Sequence, residues 1–127
     1  MSAGRNGRTN RKIGVAITGI GAVTPIGHGA EGLWEGVRRG QSAVRTITRF
    51  DASSLPSQMA AEVEIDPLSV LDQREIRRLD RYSMFAVAAA KMALEDSGLT
   101  AAEAQEANAG VNIGSALGGT AFGEEQH

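Results

Sequence analysis

The chain has 127 residues, 42% hydrophobic and 22% charged, with a formal net charge of −2. That length and apolar content suit one domain with a core and exclude a compositionally disordered chain; the near-neutral balance gives no basic face for nucleic acid. The absence of cysteine, with only two distant histidines, His28 and His127, excludes a disulfide framework, a thiolate metal site and a thiol nucleophile within these residues, and predicts no bound metal.

Residues 1–12, with Arg5, Arg8, Arg11 and Lys12, read as a disordered basic leader. The apolar stretch behind it matches a secretory signal only in its order, since it holds Gly14, Gly19 and Gly21 and no leucine. No run approaches the roughly 18 apolar residues of a spanning helix, so a cytoplasmic location without a membrane span is expected. Residues 13–18, IGVAIT, alternate large Ile13, Val15 and Ile17 with small Gly14, Ala16 and Thr18, which predicts a strand covered on both faces. A turn region follows over 19–29, with Pro25 inside it and His28 as a turn residue.

Ala30, Leu33, Trp34 and Val37 fall at helical spacing and predict an amphipathic helix over 30–39, pinned by Trp34 and stopped by Gly40. VRTITRF (44–50) and QMAAEVEI (58–65) are extended candidates around a turn-rich DASSLPS, with Phe50 and Leu55 as anchors. A single long helix is predicted from Asp72 or Gln73 to about Asp96. Its charged first half, REIRRLDR, reads as a solvated face or as a surface for an acidic partner; its second half, MFAVAAAKMAL, is apolar almost all round and needs covering. Gly98 ends it. Thr100-Ala-Ala-Glu103 is a capping box opening a short helix to about Ala107. Residues 111–115 read as a second strand running into the glycine cluster GSALGGT (114–120). Strands alternating with helices predict an α/β fold, incomplete with two clear strands.

Neither glycine cluster makes a phosphate site. In GIGAVTPIG, Thr24 stands where a dinucleotide fingerprint needs its third glycine. In GSALGGT, Thr120 stands where a P-loop needs lysine. Ser53, Ser54 and Ser57 have no neighbouring base and read as turn formers. The residues alone carry no complete catalytic constellation.

Taken together, VAITGIGAVTPIG (15–27), LWEGVRRGQSAV (33–44), ITRFDASSLPSQMAAEV (47–63), RRLDRYSMFAVAAAKMALEDSGL (77–99) and VNIGSALGGTAFGEEQH (111–127) resemble, in register, the N-terminal part of a β-ketoacyl-acyl-carrier-protein synthase of the elongating type II class. The resemblance covers 13–127 and implies the N-terminal part of a thiolase-like, five-layered αβαβα fold. It implies a homodimeric acyltransferase that condenses an enzyme-bound acyl group with malonyl-acyl carrier protein, losing carbon dioxide, in fatty-acid or polyketide elongation, with no cofactor in the chemistry. The family's nucleophilic cysteine and two histidines are expected beyond residue 127, so no catalytic residue is assigned here and His127 is not one of the pair. The resemblance does assign Leu117 to the wall of the acyl-chain pocket near the dimer interface, with Gly114, Gly118 and Gly119 keeping backbone close to it. Two other readings stay open: a non-catalytic, chain-length-factor-like partner, and a Rossmann-type nucleotide-binding module.

Overall fold

The computed structural model describes residues 14–66, 69, 71–77, 79–107, 109–120 and 123; the basic leader and His127 lie outside them. The GAVTPIG turn forms a hairpin in which β1 (Val23–Thr24) pairs antiparallel with β2 (Gly27–His28) across Pro25 and Ile26. The Thr24 hydroxyl donates to the Gly27 carbonyl (2.7 Å) and accepts from the Ile26 amide (3.3 Å), closing the turn from inside. Helix α1 (Gly29–Arg39) follows at once and ends at Gly40, which is left-handed at φ 62°. A second ribbon pairs β3 (Arg45–Thr46) with β4 (Met59–Ala60), the two extended candidates of the sequence in antiparallel register. Three helices complete the order: α2 (Gln73–Ile76), α3 (Arg81–Ser97) and α4 (Ala101–Glu106).

The close packing is made by small residues. Residues 19–21 run along α3 over Ala89, Ala93 and Ser97, one stripe at four-residue spacing. A β-carbon on Gly21 would overlap the Ala89 carbonyl and come within 2.7 Å of the Ala93 amide; one on Gly19 would overlap the Ala93 carbonyl. The Ile20 amide, between them, donates to the Asp96 carboxylate at 2.8 Å. Ala88, on the adjoining face of α3, is 1% exposed.

The same principle corrects the reading of α1. Trp34 is 62% exposed and does not pin the helix, and Val37 is also exposed. The helix instead meets the hairpin through Gly32 and Gly36, four residues apart, which lie against Gly27 and Ile26; a β-carbon on Gly36 would stand 2.8 Å from that of Ile26. Backbone approach on the glycine side sets the contact, and of the apolar side Ala30 and Leu33 are half-buried while Trp34 and Val37 face out. In the excursion, Phe50 and Leu55 are likewise exposed and Ala52 is the buried residue.

Two further expectations are corrected. The long helix divides in two because each half carries its own acidic cap. The Asp72 carboxylate accepts from the Arg74 and Glu75 amides while Glu75 reaches back to the Asp72 amide, a full capping box. Asp80, with extended backbone (φ −69°, ψ 167°), accepts from the Ser83 amide at 2.7 Å and starts α3 afresh. The predicted strands at 13–18 and 111–115 carry no strand pairing among the described residues, with Val15, Ile17 and Val111 largely exposed. Their side-chain alternation is that of a strand, but a ladder needs a hydrogen-bonded neighbouring backbone, and among the described residues neither segment has one. The capping box at Thr100 and the left-handed Gly98 stand as the sequence predicts.

Two measurements check this account. Gly21→Ala is expected to lower stability by about 1–3 kcal/mol through overpacking against α3, whereas Gly14→Ala, with open space at the same place, leaves it unchanged; thermal or urea unfolding of the pair decides. The hydrogen bonds from Ser83 hold the Asp80 carboxyl below the usual carboxylate range. A depressed value means the ionised form is favoured by folding, so its contribution is complete above about pH 3.9, the ordinary Asp value, and is lost as pH falls from there through the lowered folded-state value. Asp80→Asn keeps a capping oxygen without the titration, so its helical circular dichroism is expected to fall less between about pH 4 and pH 2 than that of the parent.

Candidate functional site

The turn carrying Leu117 is built from local hydroxyls and from α3. The Ser115 hydroxyl accepts from the Gly118 amide at 2.8 Å, and the Thr120 hydroxyl donates to the Leu117 carbonyl at 2.6 Å. Two residues at the start of α3 press on the turn from the other side. The Tyr82 ring lies so close to Gly118 that a β-carbon there would be 2.7 Å from Cε1 and 2.8 Å from Cδ1. The Asp80 carboxylate stands against Gly119, which has φ 78° and therefore the left-handed backbone that favours glycine. Gly114 has open space around it and takes no part in this contact. Leu117 itself is 81% exposed, with little packing of its own side chain among the described residues.

A second concave region, of about 340 Å³, lies between the β1–β2 hairpin and the β3–β4 ribbon. His28 sits on one wall and Arg45, Glu62 and Glu64 on the other. The imidazole is more than a turn residue: its Nε2 lies 2.8 Å from the Glu64 carbonyl, which can only accept, so Nε2 carries the proton. In the neutral ring Nδ1 is then a bare acceptor, buried and with no hydrogen-bond partner among the described residues. Glu62 is held by the Thr48 hydroxyl (2.8 Å) and the Thr48 and Arg49 amides, and these bonds, the hydroxyl's first, keep its carboxyl below the usual range. A carboxylate already saturated by donors is a brace and makes a poor proton acceptor. Sequence reasoning missed this region because its groups come from segments 36 residues apart that no local pattern links.

The excursion is tied down at a second point. Arg81, on α3, donates to the Val63 carbonyl at 2.6 Å, and its guanidinium lies 4.7 Å over the Phe85 ring. In the charged run Glu75 pairs across elements with Lys91 of α3, at 3.0 Å. The Asp72 amide, and then Lys91, lower the Glu75 carboxyl. Among the described residues no group of three or more histidines and carboxylates could hold a metal ion, and no helix is long and apolar enough to cross a membrane. The first glycine cluster offers no phosphate cradle: Gly19 and Gly21 are occupied by α3, and Thr24 closes a hairpin where a nucleotide fold would begin its helix.

Comparison with known proteins agrees with this geometry. Residues 13–127 match the family model described as β-ketoacyl synthase, N-terminal domain. The chain is 46% identical over 114 residues to 3-oxoacyl-[acyl-carrier-protein] synthase 2 of Coxiella burnetii, an alignment covering 89% of this chain and 28% of that protein. It is 39% identical over 113 residues to the protein of the same name from Synechocystis, covering 88% and 27%. It is 41% identical over 107 residues to the tetracenomycin polyketide synthase ketoacyl synthase alpha subunit of Streptomyces glaucescens, covering 84% and 25%. Among solved structures, the ishigamide ketosynthase/chain length factor superposes with a TM-score of 0.63 at 38% identity, over 68% of this chain and 22% of that one. The chain thus spans about a quarter of the length of the curated relatives it matches. A hairpin in place of a phosphate turn, a glycine-on-alanine contact beneath it and a braced GSALGG turn belong together: the chain is a member of the β-ketoacyl synthase N-terminal domain family and carries its part of a thiolase-like fold.

Proposed function

We propose that the protein carrying this segment is a condensing acyltransferase, a 3-oxoacyl-acyl-carrier-protein synthase that joins an enzyme-bound acyl group to a malonyl unit with loss of carbon dioxide. It would act in the cytoplasm as a homodimer, taking both acyl groups from acyl carrier protein, in fatty-acid or polyketide elongation. The observation that carries the reading is the family match over 13–127 together with relatives named as such synthases. The sulfur nucleophile such a reaction uses is not among these residues, which hold no cysteine. The part left to this segment is positional. It supplies a rigid turn, and Leu117 on that turn forms a wall of the acyl-chain pocket, so that its bulk limits chain length.

A second reading is a ketosynthase-like partner subunit without a nucleophile. It is favoured by the solved neighbour, the ishigamide ketosynthase/chain length factor. The two are separated by incubating the full-length protein with an acyl primer and malonyl-acyl carrier protein. Release of carbon dioxide with a product two carbons longer supports the enzyme; activity only on adding a separate ketosynthase supports the partner. In the active protein, Leu117→Phe is expected to lower kcat/KM for a long acyl primer by roughly tenfold while sparing a short one, the scale on which small changes of pocket volume discriminate. Unchanged use of the long primer would remove Leu117 from the pocket wall.

A further inference from the structure

We propose that Tyr82 is a positioning residue for chain-length selection: its ring, packed on Gly118, fixes the turn that aims Leu117. The inference rests on the reading of Leu117 as a pocket wall and asks what holds that wall in place. Leu117 is 81% exposed, so among the described residues no packing of its own side chain sets its direction. Within this segment the direction comes from the main chain on either side. On one side the Leu117 carbonyl is held by the Thr120 hydroxyl, and on the other the Gly118 amide is held by the Ser115 hydroxyl. Those bonds shape the turn but tie it only to itself. Among the described residues the turn meets another element at the start of α3, through the Tyr82 ring on Gly118 and the Asp80 carboxylate at Gly119.

The contact is made by ring carbons, and it leaves no room for a β-carbon on Gly118. The same ring can therefore be challenged from both sides. Tyr82→Phe keeps the carbons that touch and is expected to keep the selectivity. Tyr82→Ala removes the backing, lets the turn recede and admits longer chains. Gly118→Ala pushes the turn off the ring.

The test measures kcat/KM for a long and a short acyl primer in the full-length protein, for the parent, Tyr82→Phe, Tyr82→Ala, Gly118→Ala and Leu117→Phe. The expected result is a long-to-short ratio raised roughly tenfold by Tyr82→Ala, changed by a similar factor in Gly118→Ala and unchanged in Tyr82→Phe, tenfold being the discrimination that one methylene of pocket fit provides. A residue that merely held the fold together would depress both primers alike, so an unchanged ratio in Tyr82→Ala overturns the proposal. Should that variant not fold, Tyr82→Leu and Gly118→Ala decide by the same criterion. A shift with Leu117→Phe but none at Tyr82 or Gly118 defeats the positioning role alone. No shift with Leu117→Phe defeats the pocket-wall reading, and the positioning role falls with it.

Discussion

The arrangement depends on one contact, the backbone of Gly19 and Gly21 laid directly on the backbone of α3. Proteins bring main chain this close to a helix only where neither partner interposes side chains, and here both comply: two glycines on one side, Ala89, Ala93 and Ser97 on the other. Close approach maximises dispersion contact per residue and leaves no void for water. It also fixes the segment lengthwise, because the Ile20 amide between the two glycines finds its acceptor in Asp96 near the end of the helix. The hairpin that follows inherits its position from this contact, and α1 inherits its own from the hairpin through Gly32 and Gly36.

The excursion between α1 and α2 has little apolar burial to hold it and is secured by carbonyl groups instead. Its β4 side is reached by His28 at the Glu64 carbonyl and by Arg81 at the Val63 carbonyl, two adjacent acceptors met from two different elements. Both donors belong to side chains that local pattern alone would assign to a turn and to a solvated helix face. Desolvation of the Arg81 guanidinium, with Arg49 nearby, shifts its equilibrium downward, yet the carbonyl and the Phe85 ring replace part of the lost hydration.

What was legible in the sequence follows from what kind of interaction decided each element. Caps and stops are local, so Gly40, Gly98 and the Thr100 box could be read directly, and the two short extended segments could be placed to within a few residues. Asp72 and Asp80 were on the page as well, but helical periodicity running through both hid the restart between them. The packing face of α1 was misread because apolar count favours Trp34 and Val37, while the real determinant is room for close approach at Gly32 and Gly36. The strands at 13–18 and 111–115 show the opposite limit. Alternation specifies which side chains would face each way, but hydrogen-bonded pairing belongs to two backbones, and a single segment cannot supply both. The turn carrying Leu117 is legible from its glycine cluster, and its pocket role enters only through the resemblance; its brace at Tyr82 and Asp80 is not legible, since the partners lie over 30 residues apart and the signal is a ring meeting a glycine.

Helix α3 joins these observations. Seventeen residues at about 1.5 Å each make a rod of roughly 25 Å. Toward one end it receives Gly19, Gly21 and the Ile20 amide; at the other it presents Asp80 and Tyr82 to the GSALGG turn. The two glycine clusters are thus two docking points on one rigid element, Gly19 and Gly21 against its second half and Gly118 and Gly119 against its start. Such an arrangement converts a long sequence separation into a fixed spatial relation at low entropic cost, since the helix between the clusters is ordered by its own hydrogen bonds and caps. A side chain mounted this way, as Leu117 is, can change its bulk without disturbing what aims it, because the turn meets the start of α3 through the backbone of Gly118 and Gly119 and not through that side chain.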